Sequence, residues 1–198
     1  MGKSLRVTQV IAFSEIEWGI ALKRAFDIIA ATTGLLFFIP LIILAALAIK
    51  LDSHGPVFCR PKYYDLNGRV FAAFEFRCAT STFGWTGISQ ALRRSGLDKV
   101  PQLVSVLRGD MSVVGPEPLT AALGFGYRAR MGSERLLNVR PGLISWAQVQ
   151  EDQNDSKFIH RVESDLYYLA NRTFLFDMKI LALAVLLALA RTSYLSNR

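Results

Sequence analysis

In the stretch LRRSGLDKVPQL, Leu92 to Leu103, a single carboxylate, Asp98, stands among three cations, Arg93, Arg94 and Lys99. Two kinds of chemistry suit that arrangement. Asp98 precedes an apolar series, Val100, Leu103, Val104 and Leu107, with Pro101 in the first turn, so the aspartate can serve as the N-cap of a helix that starts beside it. A helix start also attracts phosphate, more so with arginines just upstream. A carboxylate in that place can bind a metal-phosphate complex or attack phosphorus. Two further clusters follow. GDMSVVGPEP, Gly109 to Pro118, reads as a rigid turn after the Asp98 helix, and VRPGLISWAQVQ, Val139 to Gln150, sets Arg140 before a Pro-Gly turn, with Trp146 to stack or to fill a core.

The elements that must position these residues are mostly helical and partly lipid-facing. The chain has 198 residues, 52% of them hydrophobic and 20% charged, with a mean hydropathy of +0.29, which is richer in apolar residues than an ordinary soluble domain. A net charge of +7 and a pI near 9.7 favour an anionic partner: a phosphorylated substrate, an acidic lipid surface or nucleic acid. Nucleic acid is set aside, because no interleaved basic and aromatic recognition motif accompanies the charge. Cys59 and Cys78 are too few for a disulfide framework and lack zinc-site spacing, so they read as free thiols in a reducing compartment. His54 and His160 are isolated from each other and from both cysteines, and no histidine-based metal site is expected.

Residues 1–22 form a lead-in without the clean apolar core of a cleavable signal peptide. Ile28 to Ile49 is an uncharged run long enough to cross about 30 Å of hydrocarbon as a helix. Pro40 lies past its middle and predicts a kink or break. Lys23 and Arg24 before the run and Lys50 after it leave little charge asymmetry to orient a span. The residues alone therefore leave a spanning helix and a proline-broken re-entrant helix over 23–50 equally open. A domain over 51–198 follows. Asn67-Gly68 predicts a β-hairpin with strands near 57–64 and 70–76. Helical periodicity is expected over Ile88 to Leu92, Asp98 to Leu107 and Thr120 to Arg135. In the last apolar stretch, Phe174 to Ala190, Asp177 and Lys179 leave too short an uncharged run to span, so a helix in the interface or packed on the core is expected. The fold class is thus mainly α with a small β-hairpin.

The ordered segments KRAFDIIAA, the Pro40-interrupted run, LDSHGPVF, FEFR, LRRSGLDKVPQL, LRGDMSVVGPEP, VRPGLISWAQV and DLYYLANRTFLFDMKI resemble the bacterial sugar transferase family, the monotopic polyprenyl-phosphate phosphoglycosyl transferases. The resemblance runs from about Lys23 to Lys179. It implies a re-entrant membrane helix broken at Pro40, interfacial amphipathic helices, and a place on the cytoplasmic face of the bacterial inner membrane. It implies transfer of a sugar 1-phosphate from a UDP-sugar to undecaprenyl or another polyprenyl phosphate, the first step of exopolysaccharide or glycoconjugate assembly. Magnesium is the implied cofactor, held at Asp98, which also matches the nucleophile of a covalent phosphosugar intermediate. Arg93 matches a phosphate clamp, and Arg77, Arg140 and Gln148 match polar positions near the substrate. A homo-oligomer is left open.

The departures from the family pattern concern charge. Where the family carries an Asp-Glu dyad, this chain reads Asp98-Lys99, a change of two charges beside the phosphate site. At about 4 Å and an effective dielectric near 20, one charge pair is worth roughly 4 kcal/mol. The family's Pro-Arg-Pro is Pro116-Glu117-Pro118 here, and its lysine before Phe-Arg is Glu75. Two expectations follow. Either Glu117 or Glu75 replaces the missing acid while Lys99 assists the phosphate, or the chain is a weak or inactive member acting as a membrane-bound binding or assembly partner.

Overall fold

The computed structural model describes residues 2–52, 54–65, 69–77, 87–120, 139–150 and 157–196. The Asn67-Gly68 turn, Cys78 and the helix expected from Thr120 to Arg135 lie outside the described residues. A single helix, α1, runs from Gly2 to Asp52, with Pro40 inside it. Helical backbone therefore continues through the proline, and the separation into a lead-in and two helix halves expected at 22 and at Pro40 is not a helix boundary.

The side of α1 that meets the rest of the chain recurs at helical spacing. Asp27 and Ala31 are buried, and Ala30 and Leu35 pack on the same core cluster. Farther along, Ala45 and Ile49 are buried with Phe76 and Leu92, joined by Ile42 and Ala46. Small residues at these points let the backbones approach: a Cβ on Gly34 would already sit 3.2 Å from the Leu103 side chain. The other side of α1 stays bare, with Ile29, Leu36, Phe37, Ile43 and Leu44 all exposed. The stretch of 32 residues from Ala21 to Asp52 is long and apolar enough to cross a membrane by length and composition.

The expected hairpin is present as two short antiparallel pairs. β1 (Phe58–Cys59) faces β4 (Glu75–Phe76), and β2 (Lys62–Tyr64) faces β3 (Val70–Ala72). Both pairs share one register, with Phe58 opposite Phe76 and Lys62 opposite Ala72, so they are one ladder interrupted in the middle. Pro61 explains the interruption. It has no N–H to give, but its carbonyl still accepts from Ala73 N at 3.2 Å, keeping the strands in step.

Helix α2 (Gly87–Ser95), a 3-10 helix (Leu97–Gln102) and α3 (Leu103–Arg108) follow in close succession. Then β5 (Ser112–Val114) pairs in parallel with β6 (Gly142–Ile144), and α4 (Trp146–Val149), α5 (Lys157–Asn171) and α6 (Phe174–Ser196) complete the described chain. Gly115, just after β5, and Gly142, the first residue of β6, bring the two backbones together so closely that a Cβ on Gly142 would lie 2.1 Å from the Gly115 nitrogen. Trp146 takes the core role open to it, buried against Phe176 at a ring separation of 5.1 Å. Ile180 of α6 is fully buried, so this helix starts packed on the body, while Val185 and Leu186 farther along are exposed.

One polar network pins these elements. Asp27 Oδ1 accepts from Ser112 Oγ and from Val113 N, both at 3.0 Å. Lys23 Nζ donates to Val114 O at 3.0 Å and to Asp177 Oδ2 at 2.5 Å. Tyr168 donates to Asp177 Oδ1 at 2.8 Å. Lys23 and Asp27 of α1, Tyr168 of α5 and Asp177 of α6 thus converge on β5, and burial makes each dependent on the others.

Candidate active site

The backbone reverses at Gly96, whose φ of 73° places it in the left-handed region at the N-cap of the 3-10 helix. Asp98 is therefore not the cap that its sequence context allowed. It lies in the first turn and is only 7% exposed. Lys99 beside it is half-buried. Arg93, in the last turn of α2, is exposed one turn upstream.

The hairpin supplies the other wall. Alternation along the shared register puts Cys59, Tyr63, Phe71 and Glu75 on one face. Glu75 Oε1 accepts from Tyr63 Oη at 2.5 Å and from Gln102 Nε2 at 2.6 Å. Gln102 is 1% exposed and four residues after Asp98 on the same 3-10 helix, so this bond ties the hairpin to the element carrying the aspartate. Burial, then the hydrogen bond from Tyr63 to Glu75, pushes the Tyr63 phenol well above its usual range. Burial first and Glu75 second raise the Cys59 thiol. The Asp98 charge raises both groups as well, as the smallest of the named causes.

Of the two acids expected to offset Lys99, then, Glu75 is brought to the Asp98 element. Glu117 instead faces Arg161 of α5 at 3.6 Å. Arg77 is buried and donates through Nη1 to the His54 carbonyl at 2.9 Å, lying over Gly55, where a Cβ would be 2.2 Å from that nitrogen. Gln148 closes a capping box with Ser145: its side chain accepts from Ser145 N, and its own N donates to Ser145 Oγ, both at 3.3 Å. Arg140 is exposed just before β6, and its carbonyl lies against Gly115. Sequence reasoning missed Tyr63, Gln102 and Cys59. The hairpin register held a usable signal, since residues 59, 63 and 75 share one parity about a turn at Asn67-Gly68.

Among the described residues no three His, Cys, Asp or Glu side chains gather as a metal cluster.

The model for bacterial sugar transferases matches residues 18–191. The UDP-glucose:undecaprenyl-phosphate glucose-1-phosphate transferase of Escherichia coli K12 is 37% identical over 182 residues, covering 83% of this chain and 39% of that protein. The undecaprenyl-phosphate glucose phosphotransferase of Komagataeibacter xylinus is 35% identical over 192 residues, 85% of this chain and 36% of its own length. The chain thus spans less than two fifths of the length of these two relatives. The exopolysaccharide production protein PSS of Rhizobium leguminosarum bv. phaseoli is matched over 97% of its length, at 33% identity and 87% coverage of this chain. With the matched residues running from the start of the apolar helix almost to the end of α6, this chain belongs to the bacterial sugar transferase family.

Proposed function

We propose that the chain transfers a sugar 1-phosphate from a UDP-sugar to a polyprenyl phosphate at the cytoplasmic face of the bacterial inner membrane, and that Glu75 restores the acid that Lys99 displaces. The observation that carries this reading over an inactive member is the Glu75 carboxylate, tied through Gln102 to the helix of Asp98. Its two hydrogen bonds both fall on Oε1, leaving Oε2 without a partner among the described residues.

In the first step an Asp98 carboxylate oxygen attacks the β-phosphorus of the UDP-sugar. The bond from that phosphorus to the bridging oxygen breaks, and UMP leaves with the electron pair. In the second step an oxygen of the lipid phosphate attacks the same phosphorus, and the bond to Asp98 breaks, giving a lipid diphosphosugar and a free carboxylate. Arg93 holds the diphosphate as a bidentate cation. Lys99 adds a charge toward the departing UMP, and Glu75 limits the excess positive charge of the pair. Bound at Asp98 and Glu75, magnesium would supply neutralisation of the diphosphate. The apolar helix α1 dips into one leaflet and returns. The relatives named as undecaprenyl-phosphate transferases support the substrate classes.

Purified protein incubated with polyprenyl phosphate, Mg²⁺ and a panel of UDP-sugars should release UMP with at least one donor. Asp98→Asn should abolish release, and Glu75→Gln should reduce it by about a hundredfold, the scale on which a positioned charged group acts. No release with any donor, together with release from Lys99→Glu, would overturn the reading in favour of a binding partner.

A further inference from the structure

The hairpin face opposite Glu75 carries different chemistry. The shared register places Arg60 directly across from Phe74, and the Arg60 guanidinium lies 4.3 Å from the Phe74 ring centroid. Arg108, at the end of α3, reaches the same ring at 4.9 Å. Both arginines are exposed, and so is Lys62 on the same face of the ladder. Asp110, the nearby acid, is paired with Arg69 at 2.6 Å. The arginines over Phe74 are therefore held in place by an aromatic ring, and among the described residues no carboxylate pairs with either of them.

Two separate stretches of α1 contact the elements at the two ends of this face. At one end Phe76, stacked on Phe58, packs with Ala45 and Ile49. At the other, Arg24 of α1 donates to the Val106 and Leu107 carbonyls at 2.7 and 2.9 Å, immediately before Arg108. The patch thus lies where the apolar helix meets the polar body, with the exposed apolar side chains of Phe58 and Val70 on the same face. Cations mixed with apolar side chains at that level match the phosphate belt and upper acyl region of an anionic bilayer.

We propose that Arg60, Arg108 and Phe74 form a binding patch for the headgroup phosphates of anionic membrane phospholipids, separate from the Asp98 site. The proposal rests on α1 lying in the membrane, but it fails separately, because labelling of the ends of α1 reads that helix alone and lipid-charge preference reads the patch.

The test uses the full chain in a non-ionic detergent, titrated with short-chain phosphatidylglycerol, phosphatidylcholine or a polyprenyl phosphate, with bound lipid counted by native mass spectrometry. Phosphatidylglycerol should be retained over phosphatidylcholine, and the preference should fall roughly fivefold for each of Arg60→Gln and Arg108→Gln. Phe74→Leu should lower it as well, by releasing both guanidinium groups. Raised salt should erode the preference of the unmodified protein, a reading that needs no variant to fold. Preference that survives high salt or the double variant would overturn the proposal. An equal loss in Arg172→Gln would do the same by showing that net charge alone is read, and retention of polyprenyl phosphate only would assign the patch to the acceptor substrate.

Discussion

At the residue scale the site turns on where charge sits around Asp98, and Cys59 reports on it. Its thiol is raised first by burial and then by Glu75, with Asp98 adding to both. In a Cys78→Ser background, alkylation of Cys59 should follow a midpoint above the ordinary thiol value near 8.5, because only the thiolate reacts. Glu75→Gln removes the second cause and should move the midpoint down, though not to the ordinary value, since burial remains. An unchanged midpoint would show that the Glu75 charge does not reach the site. The candidate residues Asp98, Arg93 and Lys99 stand out in the sequence because their types are packed into one short segment. The pairing of Glu75 with Gln102 was not, because it joins residues 27 apart through two elements, and only the hairpin register places them on one side. Gln148 and Arg77 show what a linear motif leaves out. Their described contacts include a capping box and a bond to the His54 carbonyl, which fix both side chains through residues distant in the chain or through a local helix start.

At the element scale, segments that looked like family signatures prove to be fasteners. KRAFD and FLFDMK meet through the ion pair of Lys23 with Asp177, whose side chains are 27% and 4% exposed. Removing one partner leaves the other charge poorly solvated, so Lys23→Ala should cost about 3 kcal/mol in chemical denaturation, while Lys23→Arg should cost less. Tyr168 belongs to the same fastener. Burial, then Asp177, raises its phenol far above the usual tyrosine value. A folded-state pKa above the unfolded one means that the folded chain holds its proton more tightly. The stability it contributes is complete below about pH 10 and declines as the pH rises through the folded value. Denaturation midpoints should therefore drop above pH 10, and drop less in Tyr168→Phe. Gly142→Ala should be more damaging, because its Cβ would meet the Gly115 backbone, which has no flexible end to move aside. The hairpin was legible because alternation and Asn-Gly are local signals. The parallel pairing of β5 with β6 was hidden by the long stretch of chain between two three-residue strands.

At the scale of the whole molecule, the re-entry proposed for α1 rests on what the two ends of its apolar stretch hold. A straight helix from Arg24 to Ile49 would be about 38 Å long at 1.5 Å per residue. Arg24 is fixed to the end of α3, and Ile49 is packed with Leu92 of α2. The 3-10 helix with Asp98 lies between α2 and α3. If α1 spanned the bilayer, this polar body would have to bridge from one membrane face to the other through hydrocarbon, leaving backbone and charged groups without water. If α1 dips and returns, both arms stay with the body on one face. The bare stretch around Leu36, Phe37 and Ile39, next to Pro40, is then the part that enters lipid. Single cysteines at Gly19 and His54, in a chain with Cys59 and Cys78 replaced by serine, separate these geometries. An impermeant maleimide applied outside intact spheroplasts should label neither position, and both should react once the membrane is opened. External labelling at one end alone would establish a span. Pro40→Leu restores the backbone hydrogen bond that the proline cannot donate and should shift part of the population toward that one-ended pattern, since the proline is the residue that makes a straight apolar helix costly.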